Sequence, residues 1–190
     1  MEARHGLASI EGGRHPGWGT ANRIVPLGDS YLELVSVVDA AEAAQTPFGS
    51  WVAGVHSKLA QPLGWAVRTH NLDEVARRLD LTIGDGSRAT RDGQLLRWRL
   101  AGVEQAAAEP SLPFFIEWAQ GTPFPGRAPT RHRAGAVQIT KLQLEGDANR
   151  LAAWLGAHRL PIDVRAGAPA VAGIVLAGPV GEFIVGADQL

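Results

Sequence analysis

A chain of 190 residues with 45% hydrophobic residues can form one large domain or two small ones, and its mean hydropathy of −0.03 is that of an ordinary globular protein. A net charge of −1 argues against a nucleic acid or an anionic membrane as partner, because both require clustered positive charge. The absence of cysteine excludes disulfides, a thiolate nucleophile and cysteine metal ligands. No long apolar run or charged-then-apolar leader is present, so we expect a cytoplasmic protein without a membrane span.

The sequence is similar to itself after a shift of 74 positions. Shared glycines indicate a shared backbone requirement, since glycine is used where a turn or a close approach excludes a side chain. The repeat therefore predicts two related structural units. Residues Arg4, Leu7, Gly12, Arg14, Gly19, Arg23 and Gly28 match Arg78, Leu81, Gly86, Arg88, Gly93, Arg97 and Gly102.

The first unit is predicted to span residues 1–40. The end of a helix at 1–8 is followed by a turn at Gly12-Gly13, and Gly28-Asp29 between two β-rich segments is typical of a hairpin turn. Residues 39–62 should form a short helix and a connector. The strands predicted for this unit are 14–18, 20–27 and 31–38.

The second unit is predicted to span residues 63–120 in the order βαβββ. A helix follows its first strand, and either Asn71 or Asp73 can cap that helix. By the 74-residue shift, the first unit lacks its opening strand, which would lie before Met1. The strands predicted for the second unit are 64–68, 86–90, 95–100 and 112–118.

A third unit of the same order is predicted over residues 134–190, with Asp147 capping a helix at 148–157. We expect the three units to form one compact α+β domain. The exposed edge of the first sheet and the odd number of units favour a homodimer in which the third unit pairs with its twin. The strands predicted here are 137–144, 160–165, 171–176 and 182–185.

The first two units each end in an apolar strand that carries one acid, Glu33 or Glu117. Alternation places Tyr31 beside Glu33 on one face of its strand, and Phe115 beside Glu117. A carboxylate in apolar surroundings needs a cation, a metal ion or a proton, because burying a bare charge is costly. The acids therefore form either a paired metal-ligand or acid–base site, or an ion-pair network.

The duplicated arginines Arg23 and Arg97 are the obvious partners in such an ion-pair network. A two-residue turn at Gly28-Asp29 puts Ile24 opposite Glu33 and turns Arg23 to the other face. One bulge residue would reverse this and bring Arg23 to Glu33. The sequence leaves both registers open.

The segments Gly13–Asn22 and Tyr31–Leu34 resemble the glyoxalase-like domain proteins of the vicinal oxygen chelate superfamily. Residues 95–104 and 113–118 share the likeness, which covers nearly the whole chain. The resemblance implies repeated βαβββ modules whose mixed sheets curl around a cleft that receives a small molecule. In metal-dependent members, a His on the first strand and a Glu on the last strand of each module hold a divalent ion.

By this resemblance, Glu33 and Glu117 match the last-strand acids, and we predict them as catalytic residues and metal ligands. The strand that contains 63–67 offers no His. Two carboxylates suit Mg²⁺ or Mn²⁺ better than Zn²⁺, and Fe is the other metal that the family implies. The predicted pocket residues are His15, Asn22, Tyr31, Trp65, Arg97 and Phe115.

Three functions stay open. The resemblance implies a divalent-metal-dependent isomerase, lyase or dioxygenase in which the ion polarises a substrate oxygen. Alternatively, the protein binds or sequesters an apolar ligand between Trp and Phe side chains without a metal and without catalysis. The third alternative is a chain without a ligand, in which the acids only neutralise arginines.

Overall fold

The computed structural model describes residues 1–54, 61–90, 93–179 and 181–186. These residues form an α+β fold in which short helices accompany three separate sheets. The strands are β1 (Ile10–His15), β2 (Thr20–Pro26), β3 (Tyr31–Val37), β4 (Ala66–Arg68), β5 (Ile83–Ala89), β6 (Leu95–Ala101), β7 (Phe114–Trp118), β8 (Gln138–Glu145), β9 (Ile162–Arg165), β10 (Ala170–Gly178) and β11 (Gly181–Val185). The helices are α1 (Glu2–His5), α2 (Ala40–Ala43), α3 (Pro47–Ala53), α4 (Leu72–Leu79), α5 (Val103–Ala108) and α6 (Ala148–Leu155).

The first sheet is antiparallel, in the order β1-β2-β3. The hairpin turn predicted at Gly28-Asp29 is present, and of the two registers left open it has the two-residue form, because the Leu27 N–H donates to the Ser30 carbonyl at 3.0 Å and Gly28 has a φ of 81°. Ile24 therefore lies opposite Glu33. The Arg23 side chain points to the other face and donates to Ser9, so this register rules out Arg23 as the partner of Glu33.

The turn predicted at Gly12-Gly13 is wrong, because both residues lie within β1 and form a β-bulge. A Cβ atom at Gly12 would lie 1.9 Å from Asn22 Oδ1. Gly13 has a φ of 137°, and a Cβ atom there would lie 2.4 Å from the Ala89 carbonyl oxygen on β5. Only glycine fits at either position, and the bulge thereby lets β1 lie directly against β5 of the second sheet.

The second sheet has the order β4-β7-β6-β5, with β4 parallel to β7. The helix α4 begins at Asn71, whose side chain accepts the Glu74 N–H, so Asn71 and not Asp73 is the cap. The sequence did not predict α5, which follows Gly102 (φ 86°) and separates β6 from β7. The first sheet has a hairpin at the matching place, so the 74-residue correspondence ends there.

The third sheet has the order β11-β10-β8-β9, with β8 parallel to β9. Asp147 caps α6 as predicted, since its carboxylate accepts the N–H groups of Asn149 and Arg150. In the second sheet, the opening strand β4 lies at the edge and pairs with the last strand, β7. In the third sheet, the opening strand β8 lies between β9 and β10. The strands and the first helix follow in the same chain order in the second and third units, but α5 interrupts the second unit and the strand order within the two sheets differs.

The third sheet packs against the first through a shared apolar cluster. Leu7, Val25 and Leu32 meet Val137, Leu176 and Val185 in this cluster. Among the residues described, the longest helices have eight residues, and none is long and apolar enough to cross a membrane.

Replacing Gly13 by Ala tests the contact between β1 and β5. We expect Gly13→Ala to lower the free energy of unfolding by about 3 kcal/mol, because the new Cβ meets the Ala89 carbonyl and the backbone conformation disfavours a side chain. The control is Gly17→Ala, where φ is 77° but no atom lies within 4 Å, and we expect a loss of about 1 kcal/mol. Urea unfolding measures both, and equal losses would contradict the close contact.

Candidate functional site

A large open cleft borders all three sheets, with a volume of about 2670 Å³. This exceeds the roughly 300–1,000 Å³ of ordinary small-molecule pockets, so a ligand would fill only part of it. Aromatic side chains concentrate along its walls. They are Trp18, Tyr31, Phe48, Trp51, Trp65, Trp98, Phe114, Trp118 and Phe124.

A polar cluster on the first sheet lies within this apolar cleft. The Asn22 amide nitrogen donates to Glu33 Oε1 at 2.6 Å and lies 3.1 Å from His15 Nε2. On its other side, His15 Nδ1 lies 2.8 Å from Thr20 Oγ1. Asn22 and Glu33 share a face because of the hairpin register, and the bulge turns His15 to the same face.

His15 is neutral at physiological pH. Its exposed fraction is 4%, and this burial, followed by the positive charge of Arg88, lowers its pKa to about 4. Since the Asn22 amide nitrogen is a donor, His15 Nε2 is the acceptor, and the proton resides on Nδ1 facing Thr20. Three aromatic rings surround the imidazole, those of Trp18, Phe48 and Trp98.

Glu33 is the carboxylate of the polar cluster in the cleft. Desolvation raises its pKa, while the hydrogen bond from Asn22 and the charge of Arg88 act in the opposite direction with smaller effects. The side chain keeps 30% of its accessible surface, which faces the open cleft. On the same strand face, burial and the negative charge of Glu33 raise the pKa of Tyr31, so this phenol stays protonated.

Arg88 is a cleft residue that the sequence analysis missed. Its exposed fraction is 4%, and it donates to the Gly12 carbonyl on β1. Within the described part of the chain, no carboxylate forms an ion pair with Arg88. The match between Arg88 and Arg14 in the repeat was a signal that could have drawn attention to Arg88. The bulge, however, leaves Arg14 exposed and puts His15 in the cleft instead.

Glu117 does not share a site with Glu33. It lies on the opposite face of the second sheet, where its carboxylate accepts from Arg99 and from the Leu72 N–H at the start of α4. Arg99, not the predicted Arg97, is its partner, and Arg99 also pairs with Asp73. The alternation predicted for β7 is confirmed, but the predicted pairing of Glu33 with Glu117 in one site is wrong, because α4 covers the face that carries Glu117.

Some of the other predicted pocket residues lie on the cleft, and the rest lie on the opposite face of the second sheet. Tyr31 and Trp65 line the cleft, and the Trp65 indole N–H donates to the Ser111 carbonyl. Phe115 instead packs beneath α4 with Leu72. Arg97 is exposed on the face that carries Glu117.

The side chains present do not fit a divalent metal ion. In the described ranges, no three His, Asp or Glu side chains lie close enough to form a metal site. His15 Nε2 and Glu33 Oε1 lie 3.8 Å apart, and both are within hydrogen-bond distance of the NH₂ group of Asn22, a donor that cannot bind a cation. The Asn22 oxygen points to Gly12 instead, so the implied metal set is not assembled here.

The fold and the cleft define an α+β protein with mixed and antiparallel sheets. A crystal structure of a hypothetical protein from Staphylococcus aureus is similar, with a TM-score of 0.70 at 12% identity, over 90% of this chain and 82% of that one. A search of curated proteins found no relative. The family model of the glyoxalase-like domain matches residues 1–160, and the chain therefore belongs to this family, within the vicinal oxygen chelate superfamily.

The two acids should respond oppositely to replacement by Gln. Glu33 has a raised pKa in the folded protein, so wild-type stability falls as the pH rises through that pKa and the carboxyl ionises. Glu33→Gln removes this loss. We therefore expect the free energy of unfolding of the Glu33→Gln variant to exceed that of wild type at pH 8, and we expect this difference to shrink towards pH 4.5.

Glu117→Gln is the matched control in the same urea unfolding series. It breaks the ion pair with Arg99, so we expect a loss of about 1 to 3 kcal/mol at pH 8. Destabilisation of the same size by both substitutions at pH 8 would contradict a desolvated Glu33.

Proposed function

We propose that the cleft binds a small, largely apolar molecule and that Glu33 transfers a proton to or from it. The reaction class is isomerisation or elimination that begins with removal of a proton from a carbon beside a carbonyl group. The observation that supports this most directly is a partly desolvated carboxylate in an aromatic cleft, held in place by Asn22.

The surroundings of Glu33 favour a general base. A carboxylate whose pKa is raised by desolvation is a stronger base, and proton transfer is most efficient when the catalytic pKa approaches the working pH. The hydrogen bond from Asn22 and the contact with His15 both involve Oε1. The other oxygen, Oε2, is left to take the proton of a substrate.

His15 acts as a positioning residue and not as the base. With a pKa of about 4, its imidazole is a weak base at neutral pH. Its two ring nitrogens join Thr20 to Asn22, and Asn22 in turn holds Glu33. This chain of hydrogen bonds fixes the direction of the carboxylate relative to the cleft.

The aromatic walls also support binding without catalysis. Trp18 and Trp98 lie edge to face at 6.0 Å, and Trp98 lies 5.3 Å from Trp118. Such rings bind an apolar ligand and exclude water from it, whether or not a reaction follows. Ligand-induced quenching of Trp fluorescence with no proton transfer would favour this second function.

Exchange of carbon-bound hydrogen for deuterium tests the proposed proton transfer. Phenylacetone is a suitable probe, since it is neutral and has an aromatic ring and acidic hydrogens beside a carbonyl group. We expect the wild-type protein to accelerate the exchange in D₂O, measured by ¹H NMR. Glu33→Gln should lower that acceleration by about 10²- to 10⁴-fold.

Glu117→Gln is again the matched control, because its carboxylate lies on the other face of the second sheet. We expect this variant to exchange phenylacetone at the wild-type rate. No acceleration by wild type, or an acceleration that survives Glu33→Gln, would refute the role of Glu33 as the base.

A further inference from the structure

We propose that Arg88 makes the cleft selective for a carboxylate, so that the ligand is an organic monoanion with an aromatic or other apolar body. Its carboxylate binds the Arg88 guanidinium, and its body contacts the aromatic walls. This inference rests on the proposed binding of a small molecule in the cleft, and it names the class of that molecule.

Most of the hydrogen-bonding capacity of Arg88 is unused within the described residues. A guanidinium has five N–H donors, and a buried one is normally paired with a carboxylate because desolvating an ion is costly. Here the side chain is 96% buried, given its exposed fraction of 4%, and its hydrogen bond within the described residues goes to the Gly12 carbonyl. Burial lowers its pKa, as expected for a cation that has lost water without gaining an ion-pair partner.

The position of Arg88 in the cleft supports the same proposal. Gly86 and Arg88 are both buried and alternate along β5 onto its cleft-facing side, where Trp98 lies opposite Gly86. A Cβ atom at Gly86 would lie 2.3 Å from the Trp98 indole nitrogen, so the missing side chain lets the indole lie flat against the strand. Arg88 is thus beside an aromatic surface in the cleft, which provides both parts of a site for an aromatic anion.

The charges around Arg88 favour a carboxylate over a phosphate. Arg88 interacts electrostatically with Glu33, Tyr31 and His15, of which only Glu33 provides a negative charge, since the phenol and the imidazole are neutral. Arg68 is another cation of the cleft and lies over the Phe124 ring at 4.3 Å, and Arg127, Arg131 and Arg133 also line the cleft. Arg88, an ionised Glu33 and a bound monoanion together carry a net charge of −1, whereas a dianion would make it −2, so Glu33 repels a dianion more strongly than a monoanion.

Matched ligands test the inference on the wild-type protein, so that it does not depend on a variant folding. Phenylacetate and phenylacetamide have nearly the same shape and differ in charge. We expect phenylacetate to quench Trp fluorescence with at least about tenfold tighter binding than the amide, which corresponds to about 1.4 kcal/mol. Phenyl phosphate should bind more weakly than phenylacetate.

Variants then assign the preference to one residue. Arg88→Gln should bring phenylacetate and phenylacetamide to similar affinities, whereas Arg88→Lys should keep part of the preference. Arg97→Gln is the control, because Arg97 is an exposed arginine on the other face of the neighbouring strand. It should leave the preference unchanged.

Equal binding of the two probes by wild type, binding of neither probe, or a preference that survives Arg88→Gln would each overturn the inference. Tighter binding of phenyl phosphate would overturn the carboxylate in favour of a phosphate. Phenylacetone is neutral and carries no carboxylate, so Glu33-dependent exchange alongside any of these results would refute the carboxylate preference alone.

Discussion

The contact between β1 and β5 at the Gly12-Gly13 bulge is the constraint on which the candidate site depends. This contact requires glycine at both Gly12 and Gly13, because Asn22 and the Ala89 carbonyl occupy the space that side chains at these two positions would fill. The bulge also changes the alternation of β1, so that His15 faces the cleft and Arg14 faces solvent. Finally, it presents the Gly12 carbonyl to Arg88, which joins the two sheets at the polar end of the cleft.

Glu33 and Glu117 hold equivalent places in the sequence but have different surroundings in the structure. Each is a single acid on the last strand of its sheet, yet one faces the cleft and the other faces α4. Glu117 is satisfied by Arg99 and by a backbone N–H, and its role is that of an internal ion pair. Glu33 accepts from the Asn22 amide, and desolvation raises its pKa.

Membership in the glyoxalase-like family defines the fold and leaves the chemistry to the site. In the cleft, His15 and Glu33 both contact the NH₂ group of Asn22, which is a hydrogen-bond donor and cannot bind a cation. The aromatic walls lower the local polarity and strengthen each electrostatic interaction within them. Arg88 is buried there, whereas Glu33 remains open to water over 30% of its side-chain surface.

The sequence by itself determined most of the strands, the cap at Asp147 and the place of the hairpin turn at Gly28-Asp29, because these follow from local periodicity and turn chemistry. It left open whether Asn71 or Asp73 caps α4 and which residue lies opposite Glu33. It also predicted Asn22 and His15 in a pocket, and both line the cleft. Only the tertiary structure decided the bulge in β1, the strand order of the third sheet and the separation of the two acids. Each of these depends on which distant segment packs against a strand, as Ala89 does against Gly13 and α4 against Glu117, and local sequence patterns do not encode that choice.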